Sequence, residues 1–162
     1  IKSTALSIIF SLIVIGVIAS IFFQRVIWGF LAVVPLSSAV ILNFGLMGHF
    51  DVALNHITAI LSSIIIGVGV DFAIHYISQF RRLSKEINPQ QLSREVIDDV
   101  GYPIILDACS NMGFGALIIS VFIPIQYIGG LMVFAMVSTS LGTLTVLSAL
   151  AELLKKKLIK KM

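Results

Sequence analysis

Charge is scarce in this sequence. Of 162 residues, 8 are acidic and 11 basic, so 12% are charged, about half the share of an ordinary soluble domain. That deficit excludes a soluble globular chain, because 58% of the residues are hydrophobic and the mean hydropathy is +1.07. Cysteine is nearly absent. A single Cys109 rules out an intramolecular disulfide and reads as a small apolar packing residue. The net charge of +3 gathers at the ends of apolar runs, with no aromatic-interleaved basic patch, so nothing points to nucleic acid as a partner. Period-two alternation is also missing, which excludes a transmembrane β-barrel. The chain opens on Ile1 rather than Met. Its first apolar run is too long for a signal-peptide core, and no small-residue cleavage site follows it. The run therefore reads as a true span, and the chain as part of a larger polypeptide.

What remains is a set of long apolar runs, and these predict an all-α, multi-pass membrane protein. Five spans are expected, over about residues 3–23, 27–47, 57–80, 103–122 and 126–153, forming one transmembrane domain over 1–162. Trp28 opens the second span and is expected to anchor at the interface. Pro35 inside it predicts a kink. Residues 89–100 predict a short amphipathic helix lying on the membrane surface or against the span ends. Asn88, Pro89 and Gln91 would start it, Leu92, Val96, Ile97 and Val100 would form its apolar face, and Gly101 would end it. Ile123-Pro124-Ile125 is expected to turn the chain into the last span, whose many small residues suit close helix packing. Ten of the eleven basic residues fall in the pieces after spans one, three and five, and only Lys2 lies on the other side. The positive-inside rule then puts the N-terminus outside and the C-terminus in the cytoplasm, in a cell (inner) membrane.

The third span, Ile57 to Phe80, carries the chemistry. At 1.5 Å per residue its roughly 24 residues reach about 36 Å, enough for a hydrocarbon core of about 30 Å. Asp71 sits ten residues before Arg81, so about 15 Å from that end and close to the midplane. An acid there costs about 2.5–3.5 kcal/mol and needs a partner, water or a bound proton. Ser63, Gly67, Asp71, His75 and Gln79 recur every four residues and form one stripe, which is expected to face protein. Gly67 and Gly69 would let another helix approach. Asn111, on the fourth span, would reach Asp71 if spans three and four pack together. Asp107, about a turn into that span and near a helix start, reads as structural. His75 has no second ligand at i+4, so no metal site is expected. Ser63, Asp71 and His75 lie too far apart on one helix for a nucleophilic triad, so the chain does not read as an enzyme.

GVGVDFAIHY, Gly67 to Tyr76, resembles the GxxxD segment of the fourth transmembrane helix in each half of resistance-nodulation-division (RND) transporters. The likeness is nearest to their lipid and hydrophobe exporters, often called MMPL, with hopanoid transporters and Patched-like proteins. FFQRVIWGFLAVVPLSSAVILNFGLMGHFDVALNHITAI, NMGFGALIIS and PIQYIGGL are similar to the family's flanking segments in order and spacing. The resemblance implies helices two to six of one half, a five-transmembrane-helix bundle that is also similar to a sterol-sensing domain. It implies proton-motive-force-driven export of lipids or other hydrophobic molecules, with Asp71 in the proton relay. His75, one turn along the same stripe, reads either as an extension of the relay or as a hydrogen-bonded packing residue, and Asn111 is a relay partner only if spans three and four pack together. The partners implied are membrane lipids, a hydrophobic substrate, the remaining half with its extracytoplasmic domain, or a second copy in a homo-oligomer; no cofactor is implied. Family members commonly carry tyrosine where this chain has Phe72. The competing reading is a sterol-sensing-like regulatory module that binds an apolar ligand.

Overall fold

The computed structural model describes residues 2–52 and 56–159. Six α-helices follow in order: α1 (Lys2–Phe22), α2 (Val26–His49), α3 (His56–Leu83), α4 (Leu92–Asn111), α5 (Ile123–Gly142) and α6 (Ser148–Ile159). A 3-10 stretch, Met112–Ile119, prolongs α4, and a π turn, Thr143–Leu147, joins α5 to α6. No strand occurs among the described residues. Val26–His49, Ile60–Leu83, Leu92–Ile119 and Ile123–Lys155 are long and apolar enough to cross a bilayer, and Leu6–Phe22 is a shorter apolar helix. The protein is an all-α membrane bundle. Residues 53–55 of the link before α3, and Lys160 and Lys161 of the basic tail, lie outside the described residues.

The turns are built without glycine. After α1, the Gln24 amide donates to Ile21 O (3.0 Å) and the Arg25 amide to Ser20 O (2.9 Å). This pair of bonds is a Schellman cap, with Gln24 in the left-handed region (φ 58°) that glycine usually fills. Asp51 (φ 52°) does the same after α2, where the Val52 amide donates to Met47 O at 2.9 Å. Glycine serves instead where helices touch. A side chain at Gly29 would overlap Ser20 and the carbonyl of Gly16, so α1 and α2 cross in contact. A Cβ at Gly129 would stand 2.8 Å from the Ile118 amide nitrogen, so the 3-10 stretch lies flat on α5.

α3 is central and packs on α1, α2, α4 and α5. Its inward residues Phe72, Ala73, Tyr76 and Phe80 are fully buried. Trp28 is buried too, 5.8 Å from the Phe80 ring. It is a core residue and not an interfacial anchor, because the start of α2 tucks beneath the end of α3. Asn43, 4% exposed, donates to Leu131 O at 3.2 Å and ties α2 to α5 inside the bundle.

The region after α3 departs from the expected pattern. No separate surface helix ends at Gly101; α4 begins at Leu92 and continues through Pro103 to Asn111. Leu92, Val96, Val100, Ile104 and Ala108 form one buried i, i+4 stripe that carries the helix through. The carbonyl that Pro103 leaves without a donor belongs to Asp99, on the exposed side. The turn before α5 also sits earlier than Ile123, at Ser120–Phe122, with Ile123 and Pro124 in the first turn of α5. Proline suits that position because its missing N–H would be unsatisfied there anyway.

Candidate functional site

The fourfold spacing on α3 produces the expected stripe, and the structure turns that stripe out of the chain. Ser63, Gly67, Asp71 and His75 are all exposed, and only Gln79 is half-buried. Asp71 and His75 follow each other by one turn, about 6 Å along the axis. Neither has a hydrogen-bond or ion-pair partner among the described residues. Within this chain the stripe therefore does not face protein. The apolar side of α3 packs on α1, α2, α4 and α5, which leaves the polar side over.

The two glycines divide along the same line. A Cβ at Gly69 would stand 2.7 Å from Thr139 Cγ2 and 3.5 Å from Leu36 Cγ, so this glycine admits α5 and α2. A Cβ at Gly67 would meet nothing within 4 Å. Helices thus come close at Gly69, while Gly67 has no neighbour within that distance among the described residues. Phe72 is wholly inside, so a tyrosine here would place its ring in the core rather than along the stripe.

Asn111 does not reach Asp71. Its Nδ2 donates to Asp107 O (3.0 Å) and to Asp107 Oδ1 (3.2 Å), both on its own helix. Asp107 is exposed and lies fifteen residues into α4, because that helix starts at Leu92; it is not at a helix N-terminus. α4 as a whole sits at the rim, with Tyr102, Ile105 and Leu106 exposed on it.

At the arginine-rich end two polar clamps join the helices, and neither was foreseen. Gln79 Nε2 donates to Asp99 Oδ2 at 2.5 Å, and Arg82 Nη2 stands 3.7 Å from the same oxygen. Glu152 accepts from Ser93 and from Lys155. α4 is thereby held to α3 on one side and to α6 on the other. The sequence signal is weak: Asp99 follows Asp98 on the exposed side of α4, and nothing local singles it out. Arg81 takes no carboxylate among the described residues and lies over the Phe23 ring, 5.4 Å from its centroid.

Chemically, the stripe offers a carboxylate, an imidazole and a hydroxyl on one open helical face at membrane depth.

Comparison with known proteins gives one family and one relative. Residues 17–155 match the family described as sterol-sensing, the sterol-sensing domain of SREBP cleavage-activation. MJ1562 of Methanocaldococcus jannaschii, named as a membrane protein, is 30% identical over 112 residues, covering 67% of this chain and 29% of that relative. The chain thus spans under a third of the length of the relative it matches.

Proposed function

The chain belongs to the sterol-sensing domain family, and from that premise we propose that it is the transmembrane portion of a larger RND-type exporter of lipids or other hydrophobic molecules, driven by the proton motive force. One observation carries this reading: Asp71 has no partner among the described residues and stands on an open face at the middle of the central helix. Against hydrocarbon an acid at that depth costs about 2.5–3.5 kcal/mol. A second protein surface laid on Ser63, Gly67, Asp71 and His75 removes that cost, and the bare backbone at Gly67 lets it come close. The surface would come from the remainder of a longer polypeptide or from a second copy of the chain. Asp71 is then the proton site and His75, one turn nearer the arginines, extends the relay. The Arg81–Arg82 end lies in the cytoplasm, the N-terminus outside, and the membrane is the cell (inner) membrane. The role is transport and not catalysis.

The test is Asp71→Asn in the full-length protein. Proton-dependent efflux should be lost; efflux that stays unimpaired overturns the relay. A second test places cysteine at Gly67 in a Cys109→Ser background. Oxidative cross-linking of two copies would identify the covering surface as a second chain.

A second reading is favoured by the family match itself, which spans nearly the whole chain. On it the bundle is a regulatory module that binds an apolar ligand between its helices. Ligand binding that survives Asp71→Asn, in a protein that moves nothing, would select this reading.

A further inference from the structure

α1 and α2 meet at Gly16, Ser20 and Gly29, and beside that contact they leave an apolar groove of about 360 Å³. Its rim is Ile9, Ile13 and Val17 on α1 with Val26, Phe30 and Val33 on α2. The volume falls in the range of small-ligand sites, about 300–1,000 Å³. From Ile9 to Ser20 the groove runs about 16 Å along the helix axis, about half of the 30 Å hydrocarbon core and so one leaflet deep. It opens towards the bilayer, since Ile13, Val17, Val26 and Phe30 are all more than half exposed.

One end of this groove is charged. Ser20 and Val26 line it where the chain turns from α1 into α2, and Arg25 sits in that turn, its amide bonded to Ser20 O. Arg81 reaches the same turn from α3, with its guanidinium over Phe23. Among the described residues neither arginine is paired with a carboxylate, whereas Arg82 and Arg94 are. Two unpaired guanidiniums at the interfacial end of an apolar, leaflet-deep groove fit one kind of molecule. We propose that the α1–α2 groove holds one acyl chain of a bilayer phospholipid with an anionic headgroup, whose phosphate is bound by Arg25 and Arg81. Guanidinium groups bind phosphate oxygens through forked, charge-assisted hydrogen bonds, and Arg81 remains free to do so while its flat face rests on Phe23. A zwitterionic lipid fills the groove equally well but gains less from the arginines.

The experiment is native mass spectrometry of the purified chain, titrated with phosphatidylglycerol and phosphatidylcholine of identical acyl chains. The chain should retain phosphatidylglycerol preferentially. Arg25→Gln and Arg81→Gln should each lower that retention about fivefold, the contribution of one interfacial cation, and lower phosphatidylcholine retention less. Val17→Trp, and separately Val26→Trp, should lower retention of both lipids by filling the groove from either wall; each residue is exposed, so helicity by circular dichroism should not change. Equal retention of the two lipids by the unaltered chain overturns the proposal. So does preference for phosphatidylglycerol that survives both arginine changes, or retention that survives both tryptophans in a chain of normal helicity.

Discussion

The two faces of α3 share one backbone and one set of spans, yet they have opposite fates. One face carries Gly69, Phe72, Ala73, Tyr76 and Phe80, all buried among the other helices. The other carries Ser63, Gly67, Asp71 and His75, all open. The first is explained by packing inside this chain. The second is not explained by packing inside the chain, because nothing among the described residues compensates a carboxylate in hydrocarbon. Under the proposed function, that polar side is the seam with a second protein surface.

The sharpest way to break this comparison is to damage the closed face. Phe72→Ala should remove an aromatic ring from a fully buried position and destabilise the bundle by about 3–5 kcal/mol. Asp71→Asn, one residue away, should leave the same unfolding transition within about 0.5 kcal/mol, as expected of an open position. Thermal unfolding of the purified chain in detergent measures both. Equal losses at the two sites would mean that the acid is held inside the chain after all.

Overpacking comes next in size. Gly69→Val puts a branched side chain where even a Cβ would stand 2.7 Å from Thr139 Cγ2. Both α3 and α5 must give way, at about 1–3 kcal/mol. The same unfolding assay should show a clear drop, and a Thr139→Ala partner change should recover part of it, since the clash is with that methyl group. Unchanged stability in Gly69→Val would show that α3 and α5 do not pack here.

How much of this was legible in the sequence follows from what periodicity measures. Long apolar runs and four-residue spacing placed the helices and grouped Asp71 with His75 and Gly67. They could not say which side of α3 the chain itself would cover, because both sides suit a membrane helix and only tertiary packing chooses. Trp28 misled for a related reason: an indole at a span end suits the interface and suits a pocket beneath Phe80 equally well. Gly101 looked like a helix end because its propensity is poor, but the buried stripe from Leu92 to Ala108 carries α4 through it and through Pro103. The Asp99 and Glu152 clamps join residues far apart in the chain, and no local pattern announces such pairs. The caps at Gln24 and Asp51 were invisible because neither residue is the glycine that usually marks them.

Gly67→Ala should move stability the other way. With nothing within 4 Å of its Cβ, alanine meets no neighbour and contributes better helix propensity, so this chain should gain up to about 1 kcal/mol. If the proposed function holds, the same change in the full-length protein should cost activity, because the proposed covering surface would have to give up its approach to the backbone.

The smallest effect belongs to Gln79, the one stripe residue that the chain engages. Its amide donates to Asp99, which also faces Arg82 at 3.7 Å. The arginine and aspartate side chains are 63% and 48% exposed, so solvent and salt screen the pair and the clamp contributes at most about 1 kcal/mol. Gln79→Ala should therefore lower stability by about 0.5 kcal/mol or less. What it should change is local opening. α4 meets α3 here through this clamp and the buried stripe beneath it, so amide exchange over residues 92–100 should quicken while α2 and α5 keep their protection. Unchanged exchange there would mean that the buried stripe alone holds α4, and that the polar side of α3 is idle in this chain from end to end.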